Sequence, residues 1–114
     1  MLSENDFSNI EEVLYAIRHI EEYTEDIPNM AALKDKAMAY DAVMMNFILI
    51  GEACKRLSAD LKNNHPHIDW KGINSYRNFI AHDYFGVDDK IVWLTITIEL
   101  PALKNALSAL LPQG

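Results

Sequence analysis

The sequence predicts an all-α domain, an up-and-down bundle of four to five helices with short connections. Apolar residues recur at helical spacing along most of the chain, and no strand-like alternation survives more than a few residues. Cap and turn residues punctuate the periodic stretches at 26–29, 63–67 and 85–88. Half of the 114 residues are hydrophobic, enough for one core, and the length fits a single domain over residues 1–114. A domain this small is only modestly stable alone, so a homodimer is expected.

The elements follow in order. Ser8-Asn9-Ile10-Glu11 reads as a capping box ahead of the stripe Ile10, Val13, Leu14, Ile17 and Ile20. Asp26-Ile27-Pro28-Asn29 ends this helix. Tyr40, Val43, Phe47, Ile50, Cys54, Leu57 and Leu61 then alternate spacings of three and four, a heptad-type stripe. Met44, Met45, Ile48 and Leu49 widen it, which implies two neighbours, one from the same chain and one from a second copy. Gly51 costs about 1 kcal/mol relative to Ala in a helix interior, so another backbone is expected to approach closely there. Asn63 to His67 reads as a loop. Asp69 can cap a third helix that begins at Trp70 and buries Ile73, Tyr76 and Ile80. After the turn at Phe85-Gly86-Val87, Asp88 can cap a fourth helix in which Ile91, Leu94, Ile98 and Leu100 continue the apolar pattern. Pro101 either kinks that helix or starts a short fifth one.

No run of 18 apolar residues is present, and the N-terminus lacks a basic and apolar leader. The single cysteine, Cys54, leaves no internal disulfide and fits a reducing compartment. A cytoplasmic protein is expected, with no membrane partner. The net charge is −7, and residues 1–26 carry all of it, with eight acids against Arg18. Residues 27–114 hold nine acids and nine bases. The acidic segment is either a solvated helix face or a dock for a basic protein.

Arg77-Asn-Phe-Ile-Ala-His82-Asp-Tyr84 concentrates the chemistry. A guanidinium can hold a phosphate and stabilise charge built on it, and an imidazole can move a proton near neutral pH. The pair suits metal-free phosphodiester cleavage, with RNA as substrate because its 2′-OH supplies the nucleophile. On one unbroken helix Arg77 and His82 lie roughly 140° apart and Arg77 and Tyr84 roughly 20° apart. Arg77 and His82 therefore converge only if the helix ends near His82 or a second chain completes the groove. Asn78, one turn before His82, can orient the imidazole. Glu52 pairs with Arg77 or Lys55, or is solvated. Asp83 reads as solvent-facing, with an orienting role as the alternative, and Tyr84 as packing beside Ile80 and Arg77 or as a stacking or hydrogen-bonding group. His65 and His67 flank Pro66 without a third ligand, so no metal site and no cofactor is expected.

Several motifs in order resemble the HepT-like branch of the HEPN superfamily. They are Asp41-Ala-Val-Met-Met-Asn46 through Gly51-Glu-Ala to Ser58, Pro66-x3-Trp70-Lys, Arg77-Asn78 with His82-Asp-Tyr84-Phe-Gly-Val-Asp88, Ile91-Val-Trp93 and Leu100-Pro101. Phe79 stands where that branch often has a basic residue. The resemblance implies a helical homodimeric toxin that cleaves RNA, not DNA, without metal through Arg77 and His82. It also implies a nucleotidyltransferase antitoxin partner that silences the toxin by AMPylation of Tyr84, with the nucleotide filling the groove and pairing with Arg77. The alternative is a non-catalytic module that binds a nucleotide or serves as scaffold for the nucleotidyltransferase. A third reading is a purely structural bundle.

Overall fold

Ser3 starts the first helix. Its hydroxyl accepts from the Asp6 amide at 3.1 Å, and α1 runs Glu4–Thr24. In the computed structural model, which describes residues 2–112, Ser8 and Glu11 therefore lie inside α1 and not at its start. A cap upstream brings Asp6 into the helix, where it is buried and has partners described below. Ile10, Val13, Ile17 and Ile20 are buried as their spacing predicts.

Two short helices interrupt the expected pattern. Asn29 accepts from the Ala32 amide at 2.9 Å and starts α2, Met30–Asp35. The central helix α3 spans Ala37–Lys55, and the chain then breaks at residues 56–58. Ser58 starts α4, Ala59–Asn64, by accepting from the Leu61 amide at 3.2 Å. The heptad spacing runs on to Leu57 and Leu61, and both are buried, but apolar spacing alone does not register the break. The break is held from α1. The Asp6 carboxylate accepts from the Ser58 amide at 2.8 Å and from its hydroxyl at 2.6 Å. Arg56 donates to Asn9 at 3.0 Å and to Glu12 at 2.5 Å. A buried carboxylate is tolerated only with such partners.

Helix α3 packs on α1 along one side and on α5, Trp70–His82, along another. By length and composition α3 is apolar enough to cross a membrane. Here Val43, Met44, Phe47, Ile50, Ala53 and Cys54 are buried in the bundle core. Asp69 caps α5 as expected, accepting from the Gly72 amide at 2.9 Å. A 3-10 turn, Tyr84–Gly86, follows, and Asp88 caps α6, Asp89–Leu94, by accepting from the Lys90 amide at 2.8 Å.

Pro101 sits in the first turn of a short last helix, one of the two outcomes expected of it. A π-helical turn, Thr95–Glu99, joins α6 to α7, Leu100–Ser108, and the dihedrals at both junctions stay helical. Proline has no N–H, and its ring crowds the carbonyl four residues back, which is Thr97. The wider turn before it relieves that crowding. Thr95 and Thr97 donate to the carbonyls of Ile91 and Trp93 at 2.7 and 2.8 Å, which accompanies such helix distortion.

Of the four apolar positions expected on this helix, only Leu100 is buried and the other three face outward. Ile91, Leu94 and Ile98 are 49%, 50% and 57% exposed, while Val92, Leu100 and Leu107 are buried. Met45 and Leu49 on α3 are also about half exposed, and Met38 more so. Helical spacing identifies an apolar stripe but not what covers it.

Asp6→Ala is expected to cost about 2 kcal/mol, since it leaves the start of α4 without charged hydrogen bonds. The urea midpoint would fall at constant m value. Burial pushes the Cys54 thiol up to about 12, partly offset by Lys62. The folded chain then keeps a proton that the unfolded chain loses from about pH 9 upward, so stability is whole below that pH and falls as pH rises toward 12. Cys54→Ala is expected to flatten this alkaline loss in urea midpoints measured against pH.

Candidate active site

Gly51 sits directly under Arg77. A Cβ placed on Gly51 would overlap both Cβ and Cγ of Arg77. The close approach expected at Gly51 is therefore made by the methylene stem of Arg77, not by another backbone. The next residue on α3, Glu52, forms an ion pair with the Arg77 guanidinium. Of the three readings open for Glu52, the structure selects pairing with Arg77. A glycine to admit the stem and a carboxylate to hold the head thus occupy adjacent positions.

Asn78 serves Arg77 as well. Its amide oxygen accepts from Nη1 of Arg77 at 3.0 Å, where the sequence suggested that it orients His82. One hydrogen on each terminal nitrogen is engaged, by Glu52 and Asn78, and the second on each is left to meet an anion. Nε of Arg77 is buried without an acceptor among the described residues.

Helix α5 ends at His82. Asp83 leaves the helical region, with φ −141° and ψ 70°, while its amide still donates to the Phe79 carbonyl at 2.8 Å. The exposed Asp83 carboxylate folds over Gly86, where a Cβ would overlap it, and the Gly86 amide donates to the Asp83 carbonyl at 3.0 Å. Asp83 therefore builds the turn. Arg77 and His82 line one open cleft of about 730 Å³ with Ser75, Asn78, Phe79, Ala81 and Asp83. All but Asp83 belong to α5, so this cleft has a single wall. The Phe79 ring, 49% exposed, lies on that wall.

Tyr84 does not share Arg77's face, because the helix that would have placed it there stops two residues earlier. Its hydroxyl donates to Asp41, in the first turns of α3. Asp41 lies eleven residues before Glu52, about 16 Å along α3. A nucleotide on Tyr84 would therefore start at the far end of α3 from Arg77 in the same chain. Sequence reasoning did not single out Asp41; only the turn after His82 brings it to Tyr84.

Elsewhere, the His65 and His67 rings lie 5.8 Å apart in the loop, and no group of three or more potential metal ligands occurs among the described residues. His19 packs against the Tyr15 ring with centroids 4.2 Å apart. Tyr76 lines a second, apolar groove of about 530 Å³ between α3, α5 and the α6–α7 helix. Burial pushes its hydroxyl up to about 12.

The HepT-like family model, described as ribonuclease HepT-like, matches residues 13–110. A protein of Thermococcus cleftensis named a probable ribonuclease HepT is 38% identical over 84% of this chain and 86% of its own length. A protein of Methanocaldococcus jannaschii named as a candidate RNase is 34% identical over 82% of this chain and 80% of its own. One from Caldanaerobacter subterraneus subsp. tengcongensis, named likewise, is 30% identical over 90% of each. No solved structure matches the chain at a significant level. The chain belongs to the HepT-like family.

Gly51→Ala gains about 1 kcal/mol of helix propensity but forces α3 and α5 apart at Arg77. A net loss of about 1–3 kcal/mol is expected. In an Arg77→Gly background both overlapping carbons are gone, and Gly51→Ala is expected to be neutral or stabilising. Urea unfolding of the four chains forms a double-mutant cycle that reads this coupling.

Proposed function

We propose that this member of the HepT-like family is a metal-independent endoribonuclease, the toxin of a toxin–antitoxin pair, built as a homodimer and silenced by AMPylation of Tyr84. Ribonuclease activity follows from family membership and from the names of the relatives. One observation carries the rest of the cleavage reading: Arg77 and His82 line the same cleft, and that cleft has only one wall. A second copy would supply the other wall. The half-exposed apolar residues of α3 and α6 support such a copy, since Met45, Leu49, Ile91 and Leu94 are otherwise left in water.

The chemistry needs only groups the chain and RNA possess. The ribose 2′-oxygen attacks the adjacent phosphorus, a 2′-O–P bond forms and the P–O5′ bond breaks. His82 takes the 2′-OH proton, and a second proton transfer from imidazole to O5′ completes cleavage. The two free hydrogens on the terminal nitrogens of Arg77 face the charge that builds on the phosphorane-like oxygens. Glu52 and Asn78 fix the guanidinium in place, which lowers the cost of ordering it. Phe79 offers an exposed ring on which an unpaired base can stack. No metal is required to generate the nucleophile.

The regulatory half rests on Tyr84, which is partly exposed at the edge of the turn after His82. A nucleotidyltransferase partner would place an anionic nucleotide there. It would crowd the His82 end of the cleft and repel an incoming RNA backbone.

The purified dimer is expected to cut RNA in EDTA and leave 2′,3′-cyclic phosphate ends. Arg77→Ala and His82→Ala are each expected to lose at least about 10²-fold in cleavage rate. Variants that cut as fast as the parent would refute the site. A parent chain that binds nucleotide or a nucleotidyltransferase without cutting RNA would favour a non-catalytic binding module.

A further inference from the structure

The Tyr84 hydroxyl has one polar partner among the described residues, the carboxylate of Asp41. The ring is held from two sides. Tyr40 meets it edge-on with centroids 6.0 Å apart, and Phe85 does so at 5.4 Å. Behind Tyr40 lies Lys34 of α2, its Nζ 5.1 Å from the Tyr40 ring, and Lys34 pairs with Asp89 of α6 at 3.3 Å. Four elements thus converge on this end of the bundle: α2, α3, the 3-10 turn and α6. Asp41 and Tyr40 are the titratable groups beside the hydroxyl, with Lys34 and Asp89 grouped behind Tyr40. The cluster positions Tyr84 through its ring, and the turn closes through Asp83 and Gly86. The Asp41 contact is directed at the hydroxyl alone.

Burial, followed by the hydrogen bond to Asp41 and the charge of Asp41, pushes the Tyr84 hydroxyl far above its ordinary value. Near neutral pH it is a phenol, not a phenolate, and a phenol is a poor nucleophile. It can attack phosphorus at useful speed only if the proton leaves as the bond forms. The acceptor already in contact with that proton is Asp41.

We propose that Asp41 is the general base for nucleotidyl transfer onto Tyr84, a catalytic residue supplied by the acceptor chain itself. This rests on the reading of Tyr84 as the acceptor. In the step, Tyr84 Oη forms a bond to the α-phosphorus of a nucleoside triphosphate. The bond from that phosphorus to the bridging oxygen breaks, and pyrophosphate leaves. The Oη proton passes to Asp41 Oδ1 and from this exposed carboxylate to solvent.

The test has two arms, both on the full chain. In the first, 5′-(4-fluorosulfonylbenzoyl)adenosine labels the protein and peptide mass spectrometry reads Tyr84. The parent is expected to label at a rate level with pH across neutrality. Asp41→Asn keeps an oxygen that can accept from Tyr84, so its unfolding midpoint stays near the parent's. Its labelling is expected to fall by about 10²-fold and to climb about tenfold per pH unit, because only phenolate then reacts. Equal or faster labelling of Asp41→Asn overturns the proposal, since it would mean that Asp41 restrains the hydroxyl. The second arm uses ATP and a minimal nucleotidyltransferase of the class proposed as partner, with AMP addition read by mass. A modified parent and a slow Asp41→Asn support the proposal. A modified parent with an equally fast Asp41→Asn overturns the proposal alone. An unmodified parent overturns the acceptor reading, and the proposal with it.

Discussion

The contact between Gly51 and Arg77 is the constraint on which the site depends. Helix α3 gives up a side chain at one position so that a long cation can lie across it, and the next residue, Glu52, holds the head of that cation. The ion pair is partly shielded, with both side chains about one third exposed, so it is screened less than a surface pair but is not a large source of stability. Its value is geometric. It fixes how far α5 slides along α3 and therefore where every later residue of α5 falls. Asn78 adds a second restraint from α5 itself. The cost is borne by the fold, as a helical glycine and an unpaired Nε.

The end of α5 does the remaining positioning. Because the helix stops at His82, the imidazole sits at a terminus where the backbone turns away, and the chain folds back through Asp83 and Gly86. Tyr84 is thereby sent toward the start of α3 while Arg77 stays near its end. A guanidinium and a phenol that are close in sequence thus meet α3 about 16 Å apart. The two side chains meet opposite ends of the same helix, each anchored by a carboxylate of α3, Glu52 for Arg77 and Asp41 for Tyr84.

Much of this was legible in the sequence. The all-helical class, the stripes of α1 and α3 and the caps at Asp69 and Asp88 follow from spacing and residue type, and the structure contains each of them. Arg77 and His82 stood out by chemistry. What spacing could not show was where a stripe faces and where a helix breaks. Ile91, Leu94 and Ile98 have the spacing of a core stripe and face outward. Leu57 and Leu61 continue the heptad of α3 across a break set by Asp6, some fifty residues away in sequence. Ser8 and Glu11 had the form of a cap, but Ser3 lay five residues earlier and accepts from the Asp6 amide. The Asp41–Tyr84 contact was invisible because angular arithmetic carried α5 past its real end.

The excess negative charge gains a meaning from where α1 lies. α1 and α5 pack on different sides of α3, so the helix holding most of the net charge, six acids against Arg18, lies away from the cleft. Part of that charge is answered locally, with Glu12 on Arg56 and Glu21 on Lys104. The rest gives the chain an electrical front and back. A polyanion drifting toward it is turned away from the α1 side and meets less repulsion on the α5 side, so the field orients encounters before any contact is made. An acidic protein can in this way leave a neutral approach to one of its faces.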